Sequence, residues 1–418
     1  MLFARFACRT CLCLGLMLAP LLSWMPGGFS QGVAVLADDG DGGDGGGATG
    51  GTDGGGGDAL APHQMDQAFR EIVVAGLTSP QLAALQQRGY VLLGQRHNAL
   101  LGRSVTLLRV PLHALMGDAT SEVRALDSKL LVDHNHYYRS STDASGPVAH
   151  QLVRWPQRMG RCAQAPAIGL IDTRVDPAHA SLRGASIELL GLPGRDDAQR
   201  ASSPEHGTAV ASLLVGQTRE LQGLLPRARL LAVDAFHRGK LGDERMDAWD
   251  LVAALDALAA RRVKVINMSF AGAANQLLEN ALDRVHGRQI MTVAAVGNRG
   301  PQAAPQYPSA YKGVIAVTAV NSERHVYHRA GRGAHVDLAA PGVGLATADA
   351  DGTSEVRSGT SFAAPHVSAA IASLLTRKGQ TPASVRRMVL GQAADLGEPG
   401  HDSVYGHGLL QMQRLCGA

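Results

Sequence analysis

Residues 167–172 read Ala167, Ile168, Gly169, Leu170, Ile171, Asp172: five apolar or small residues, then a carboxylate. No polar residue interrupts the run, so neither face of the strand it forms is suited to water, as in a parallel sheet covered on both faces. The closing Asp stands at the carboxyl end of the strand, where such sheets present functional groups to a crevice. Four almost wholly apolar runs follow, at 229–235, 263–269, 290–296 and 314–320. Between the second and third, Met246, Trp249, Val252 and Leu255 recur on one face at helical spacing and predict a core-facing helix over 245–261. Strands alternating with helices predict an α/β domain over 161–418, a parallel sheet with helices on both faces and no internal repeats.

A different pattern precedes it. A strand at 71–75, a capped helix at 79–88, strands at 90–93 and 105–110, a helix at 118–126 and a last strand at 129–133 give the order βαββαβ. That order predicts a small ferredoxin-like α+β domain over 66–140. A polar stretch follows, and 141–160 is expected to be a linker. Upstream, residues 38–58 hold 12 Gly and 6 Asp in 21 positions, with nothing bulky and apolar to bury, so 38–65 is expected to be a disordered linker. It accounts for much of the Gly content, 50 of 418 residues, in a chain with 18% charged residues.

The formal charge is +3: +2 from residues 1–37, −6 from the Gly/Asp stretch and +7 from residue 59 onward. With no basic run and 4% aromatic residues, nucleic-acid binding has no footprint. Arg5 and Arg9 precede apolar residues 11–24, and the small-residue ending at Val35, Leu36 and Ala37 predicts a cleaved secretory signal over 1–37. About 14 apolar residues fall short of the roughly 20 that span a bilayer, so no transmembrane segment is expected in the mature chain. Export to the periplasm, the cell surface or the medium follows. Cys162 and Cys416 then remain, either as a disulfide or as two unrelated thiols.

Four polar residues share the places where strands end and helices begin. Asp172 closes the first strand. His206 opens a small-residue helix in Glu205, His206, Gly207, Thr208, Ala209, Val210. Ser361 opens another in Gly359, Thr360, Ser361, Phe362, Ala363, Ala364, Pro365, His366, where a helix start supplies an unpaired backbone N–H for a developing oxyanion. Asn298 follows the run ending Ala295, Val296, Gly297 and is a candidate second oxyanion donor. Each alone reads as a cap or turn residue. Together they predict acyl transfer by a serine.

These blocks, with separations of 34 and 155 residues, resemble the subtilisin-like serine protease family, whose triad runs Asp, His, Ser along an α/β fold. The resemblance covers 167–410 and includes Tyr307, Pro308, Ser309 and Ala310, then Ala340, Pro341 and Gly342, then 405–410. It implies that Ser361 is the nucleophile, His206 the general base, Asp172 its orienting carboxylate and Asn298 an oxyanion donor. Ser269, Phe270, Ala271 and Gly272 match one strand lining the pocket for the residue before the cut bond, and Ala295, Val296 and Gly297 the other. Their mostly small side chains imply an open, apolar pocket. Family members often carry a cis proline at the position of Tyr307–Pro308.

The βαββαβ unit resembles the family's propeptide, an intramolecular chaperone and inhibitor with its carboxyl end in the active cleft. Asp133 to Ser140 match that tail, and self-cleavage is expected between Tyr138 and Pro147. His134 and His136 are expected to be solvated loop residues, the other reading being histidines that charge near pH 6 and weaken inhibition. Arg174 replaces a usual glycine and Ala209 a usual second histidine. Arg174 is expected to alter the local turn and to set a charge close to Asp172. The partners implied are protein or peptide substrates and the chain's own propeptide. No cofactor is required. Calcium stays open, because relatives often bind it structurally although no calcium-loop pattern is present. The alternative reading is a catalytically silent, subtilisin-like peptide-binding protein.

Overall fold

The computed structural model describes residues 67–139, 149–156, 167–193, 201–239 and 243–413. The expected signal, the Gly/Asp stretch, Cys162, Cys416 and most of the expected linker at 141–160 lie outside the described residues.

The N-terminal unit consists of β1 (Gln67–Ala75), α1 (Ser79–Gln87), β2 (Val91–Asn98), β3 (Arg103–Arg109), α2 (Met116–Ala125) and β4 (Leu131–Arg139). Thr78 and Gln81 form a capping box at the start of α1, and Pro80 occupies its first turn, both local helix-start signals. The strands pair antiparallel in the order β2-β3-β1-β4. Residues of β1 alternate between two cores, as strand geometry requires. Ile72 and Val74 join Leu85, Leu108, Val123 and Val132 beneath the unit's own helices. Val73 and Ala75 instead join Leu251, Val252 and Leu255 of the larger domain.

A short α3 (Ala149–Leu152) lies where a linker was expected, and Val153 after it is wholly buried in the larger domain's core. There follow β5 (Ile168–Asp172), β6 (Ser186–Leu190), α4 (Glu205–Val215), β7 (Arg229–Asp234), β8 (His237–Arg238), β9 (Glu244–Asp247) and α5 (Ala248–Ala260). Next come β10 (Val265–Met268), β11 (Ala271–Gly272), α6 (Gln276–Gly287), β12 (Met291–Ala295), β13 (Ile315–Val320) and β14 (Leu338–Pro341). The last elements are β15 (Leu345–Ala348), β16 (Ser354–Arg357), α7 (Thr360–Leu375) and α8 (Pro382–Gly391).

Seven strands form the expected parallel sheet in the order β14-β13-β12-β10-β5-β7-β6. Residues of α4, α7 and α8, among them Leu214, Ala363, Val367 and Val385, pack in one core. Leu251, Leu255, Leu278 and Leu282 of α5 and α6 pack in the other. All four residues of β10 are buried, which is why its sequence shows no alternation. The half-exposed edge strand β6 is an element the sequence reading missed. The Tyr307–Pro308 bond is cis.

Two expectations change. The predicted helix over 245–261 begins at Ala248, because Asp247 caps it by accepting from the Asp250 N–H at 2.9 Å. Met246 therefore lies on a strand. The last strand of the small unit also does not stop at 133. β4 continues to Arg139, with Tyr137 opposite Asp247 and Tyr138 opposite Met246 on one side, and Tyr138 opposite Gly272 and Arg139 opposite Ala271 on the other. His134 and His136 are accordingly half-buried strand residues with rings stacked 5.6 Å apart. The His134 carbonyl accepts from Asn275 Nδ2 at 2.9 Å.

His366, within α7, is wholly buried, and burial lowers its pKa to about 3. The folded state therefore keeps it neutral where the unfolded chain, with an ordinary histidine pKa, takes up a proton. Stability from this group is complete above about pH 6.5 and falls by about 1.4 kcal/mol per pH unit from there towards pH 3. Urea midpoints at pH 7 and pH 5 should differ more for the parent than for His366→Gln, both carrying Ser361→Ala. Equal pH slopes would contradict this.

Candidate active site

The carboxyl ends of β5, β10 and β12 and the amino ends of α4 and α7 meet on one rim. Asp172, the last residue of β5, accepts through Oδ1 from the Thr173 N–H at 2.8 Å. The same oxygen lies 2.6 Å from His206 Nδ1. Both side chains are almost wholly buried. α4 comes close enough for this contact because its third residue is Gly207. A Cβ there would overlap the backbone carbonyls of Thr173 and Arg174, and the Gly207 N–H donates to Thr173 Oγ1 at 2.8 Å. With Nδ1 facing a carboxylate, the ring's proton belongs on Nδ1 and its lone pair on Nε2. Nε2 is buried and makes no hydrogen bond. The ring packs 5.4 Å from that of Phe362, the residue after Ser361.

Ser361 is the second residue of α7. Four residues on, Pro365 has no N–H to return to the Ser361 carbonyl. Ser269 Oγ donates to that carbonyl instead, at 2.6 Å. Ser269 Oγ accepts from Asn267 Nδ2 at 2.8 Å, and Asn267 Oδ1 accepts from Ser368 Oγ at 2.9 Å. This buried polar chain ties β10 to both sides of the nucleophile's turn. Asn267 and Ser368 were not singled out from sequence, although a polar residue within an apolar run is itself a signal that a buried partner exists.

Asn298 Oδ1 accepts from the Thr360 N–H at 3.1 Å and from Thr360 Oγ1 at 2.8 Å. Two donors on the oxygen fix the orientation of the amide. Its Nδ2 is thereby left as a buried donor without a partner, beside the residue that precedes Ser361. An unpartnered buried donor at a helix start is suited to developing negative charge.

The residues expected to line a pocket separate into different roles. Ala271 and Gly272 pair with β4, and Ala295 ends β12. Gly297 donates its N–H to Thr360 Oγ1 at 3.2 Å. Val296 belongs to the core that includes Phe362 and Val367. Phe270 lies edge-on between Phe236 and Tyr138. A further residue, Gln306, lies against Gly297 with its side-chain oxygen buried and unpartnered. The wall there is polar where small side chains had implied an apolar one.

Arg174 has a φ that is not positive, its N–H donates to Ser202 Oγ at 2.7 Å, and its side chain is exposed, so water screens the charge. Ala209 is wholly buried in the core. Among the described residues, His237, Asp247 and Asp250 form one group able to face a cation. The Arg96 guanidinium from β2 already lies 3.4 Å from Asp250 Oδ1. Among the same residues no helix is long and apolar enough to cross a membrane.

The family model described as "Subtilase family" matches residues 163–408. Subtilisin E of Bacillus subtilis (strain 168) is 30% identical over 307 residues, covering 71% of this chain and 77% of that protein. Minor extracellular protease Epr of the same organism is 30% identical over 210 residues, covering 49% of this chain and 32% of Epr. The chain thus corresponds to about a third of Epr's length. The crystal structure of fervidolysin from Fervidobacterium pennivorans, a keratinolytic enzyme related to subtilisin, superimposes with a TM-score of 0.72 at 18% identity. It covers 84% of this chain and 61% of its own, a likeness of fold. The chain belongs to the subtilase family, a family of serine endopeptidases.

Proposed function

We propose that this chain is an exported endopeptidase that hydrolyses peptide bonds through an acyl-enzyme on Ser361, held inactive at first by its own N-terminal unit. The observation that carries the reading is the buried 2.6 Å contact of Asp172 with His206 Nδ1, which leaves Nε2 as the base. In this mechanism Ser361 Oγ attacks the carbonyl carbon and its proton passes to Nε2. Asp172 stabilises the imidazolium so formed. The oxyanion is held by Asn298 Nδ2 and the Ser361 N–H. The imidazolium then protonates the leaving amine, and water, deprotonated by Nε2, releases the acyl group. These side chains supply the chemistry without a cofactor.

Asn298→Ala is expected to lower kcat by about 10²- to 10³-fold, the loss known for the oxyanion asparagine of a subtilisin, with KM little changed. A similar rise in KM with kcat intact would remove Asn298 from the oxyanion role.

The inhibitory role of residues 67–139 is supported by β4, which forms the antiparallel middle strand between β9 and β11 of the peptidase domain. Its direction, from the Gly272 side to the Ala271 side, carries the chain towards Ser269 and the Ser361 turn. We expect self-cleavage beyond Arg139, within residues 139–147. Export is supported by Arg5 and Arg9 followed by the apolar residues 11–24. Intact mass and N-terminal sequencing test the processing step. Wild type should begin after a cut in 139–147 and Ser361→Ala should keep that bond. Identical processing of both would show that another peptidase is responsible.

A further inference from the structure

Tyr138 is wholly buried, and its strand partners on both sides, Met246 and Gly272, belong to the peptidase domain. Its ring meets Phe270 edge-on, with centroids 6.1 Å apart and planes at 74°. Phe270 meets Phe236 in the same way at 6.0 Å and 69°. This is favourable geometry for aromatic pairs. Gly272 stands opposite Tyr138 in the strand pair, and a Cβ at that position would overlap the tyrosine ring. The groove is thus shaped around an aromatic side chain.

One atom does not suit it. The Tyr138 hydroxyl is buried and has no hydrogen-bond partner. A hydroxyl taken out of water with nothing to bond weakens the contact relative to a phenyl ring of the same shape. The next residue along β4, Arg139, places its guanidinium 3.9 Å from Asp243 Oδ2, with the two side chains 22% and 19% exposed. Asp243 also faces Arg245 at 3.4 Å.

We propose that this groove selects peptides in which phenylalanine opposite Gly272 is followed by a basic residue facing Asp243. In the same proposal β4, with tyrosine in that place, is a weaker occupant that such a peptide displaces. The inference rests on the peptidase reading above and adds the class of substrate. Gly272 and Asp243 are its specificity-determining residues.

Quenched-fluorescence decapeptides differing only at these two positions test it on processed wild type. Phe-Arg should exceed Tyr-Arg in kcat/KM by about five- to hundredfold, with Ala-Arg lower still. Phe-Glu should fall about tenfold below Phe-Arg, as expected for reversing a charge beside a partly buried carboxylate. Asp243→Asn should close the Arg/Glu gap, and Gly272→Ala should penalise the aromatic peptides more than Ala-Arg. Equal rates for Phe-Arg and Tyr-Arg, or for Phe-Arg and Phe-Glu, would overturn the proposal. If wild type cuts neither these peptides nor casein, the peptidase reading fails, and melting of the full Ser361→Ala chain decides the groove's chemistry. Adding Tyr138→Phe should then raise the melting temperature and Tyr138→Ala lower it. No rise with phenylalanine would overturn the inference.

Discussion

Ser361→Ala is expected to reduce kcat for peptide hydrolysis by about 10⁶-fold, the loss known when the triad serine of a subtilisin is removed. The size follows from the arrangement of the turn. Ser361 sits where α7 starts, and its carbonyl is held by Ser269 rather than by the helix. Residual hydrolysis should remain above the uncatalysed rate, because the Asn298 amide and the helix-start N–H still stabilise an oxyanion. The variant should fold as the parent does, since the buried chain through Asn267, Ser269 and Ser368 uses the Ser361 carbonyl and not its hydroxyl. Circular dichroism and melting check the fold, and kcat on a peptide substrate checks the loss. A decrease of less than tenfold would place the nucleophile elsewhere.

Asp172→Asn is expected to cost about 10⁴-fold in kcat with little change in KM. The amide is nearly isosteric with the carboxylate, although with its nitrogen at the Oδ1 position it gives up the bond from the Thr173 N–H. The amide nitrogen, however, donates towards His206 Nδ1 and drives the ring's proton to Nε2. The base then presents N–H where it needs a lone pair, and the imidazolium of the transition state loses its buried counter-charge. Activity should return partly at high pH as hydroxide substitutes for the missing base. A tenfold loss, or a change confined to KM, would mean that Asp172 serves the fold more than the reaction.

Much of this site was legible in the amino-acid order because its parts stand at element boundaries. Asp172, His206, Asn298 and Ser361 each follow or open an apolar run that must be buried, so their positions on one rim follow from the sheet's topology. β10 and β12 were readable for the same reason. What escaped depends on contacts distant in sequence. The extension of β4 to Arg139 exists because Met246 and Asp247 on one side, and Ala271 and Gly272 on the other, supply its hydrogen bonds. Nothing in residues 133–139 by themselves announces those partners, and the histidines made the segment look solvated. Met246 fitted a helical stripe until Asp247 was found to cap α5. Val296 matched a pocket by position, but its side chain joins the core with Phe362, whereas Phe270 meets Tyr138 of β4. Gln306 lies outside the two matched pocket strands and shows its place only through contact with Gly297.

The most direct test of the central claim is intact mass of purified wild type and Ser361→Ala, each measured before and after a fluorophosphonate that labels activated serines. The account predicts a shortened wild type carrying one adduct, beside a mutant unlabelled and uncut within 139–147. A folded wild type that takes no adduct would contradict it and favour a silent peptide-binding protein, and an equal adduct on both would assign the reactive serine to another position.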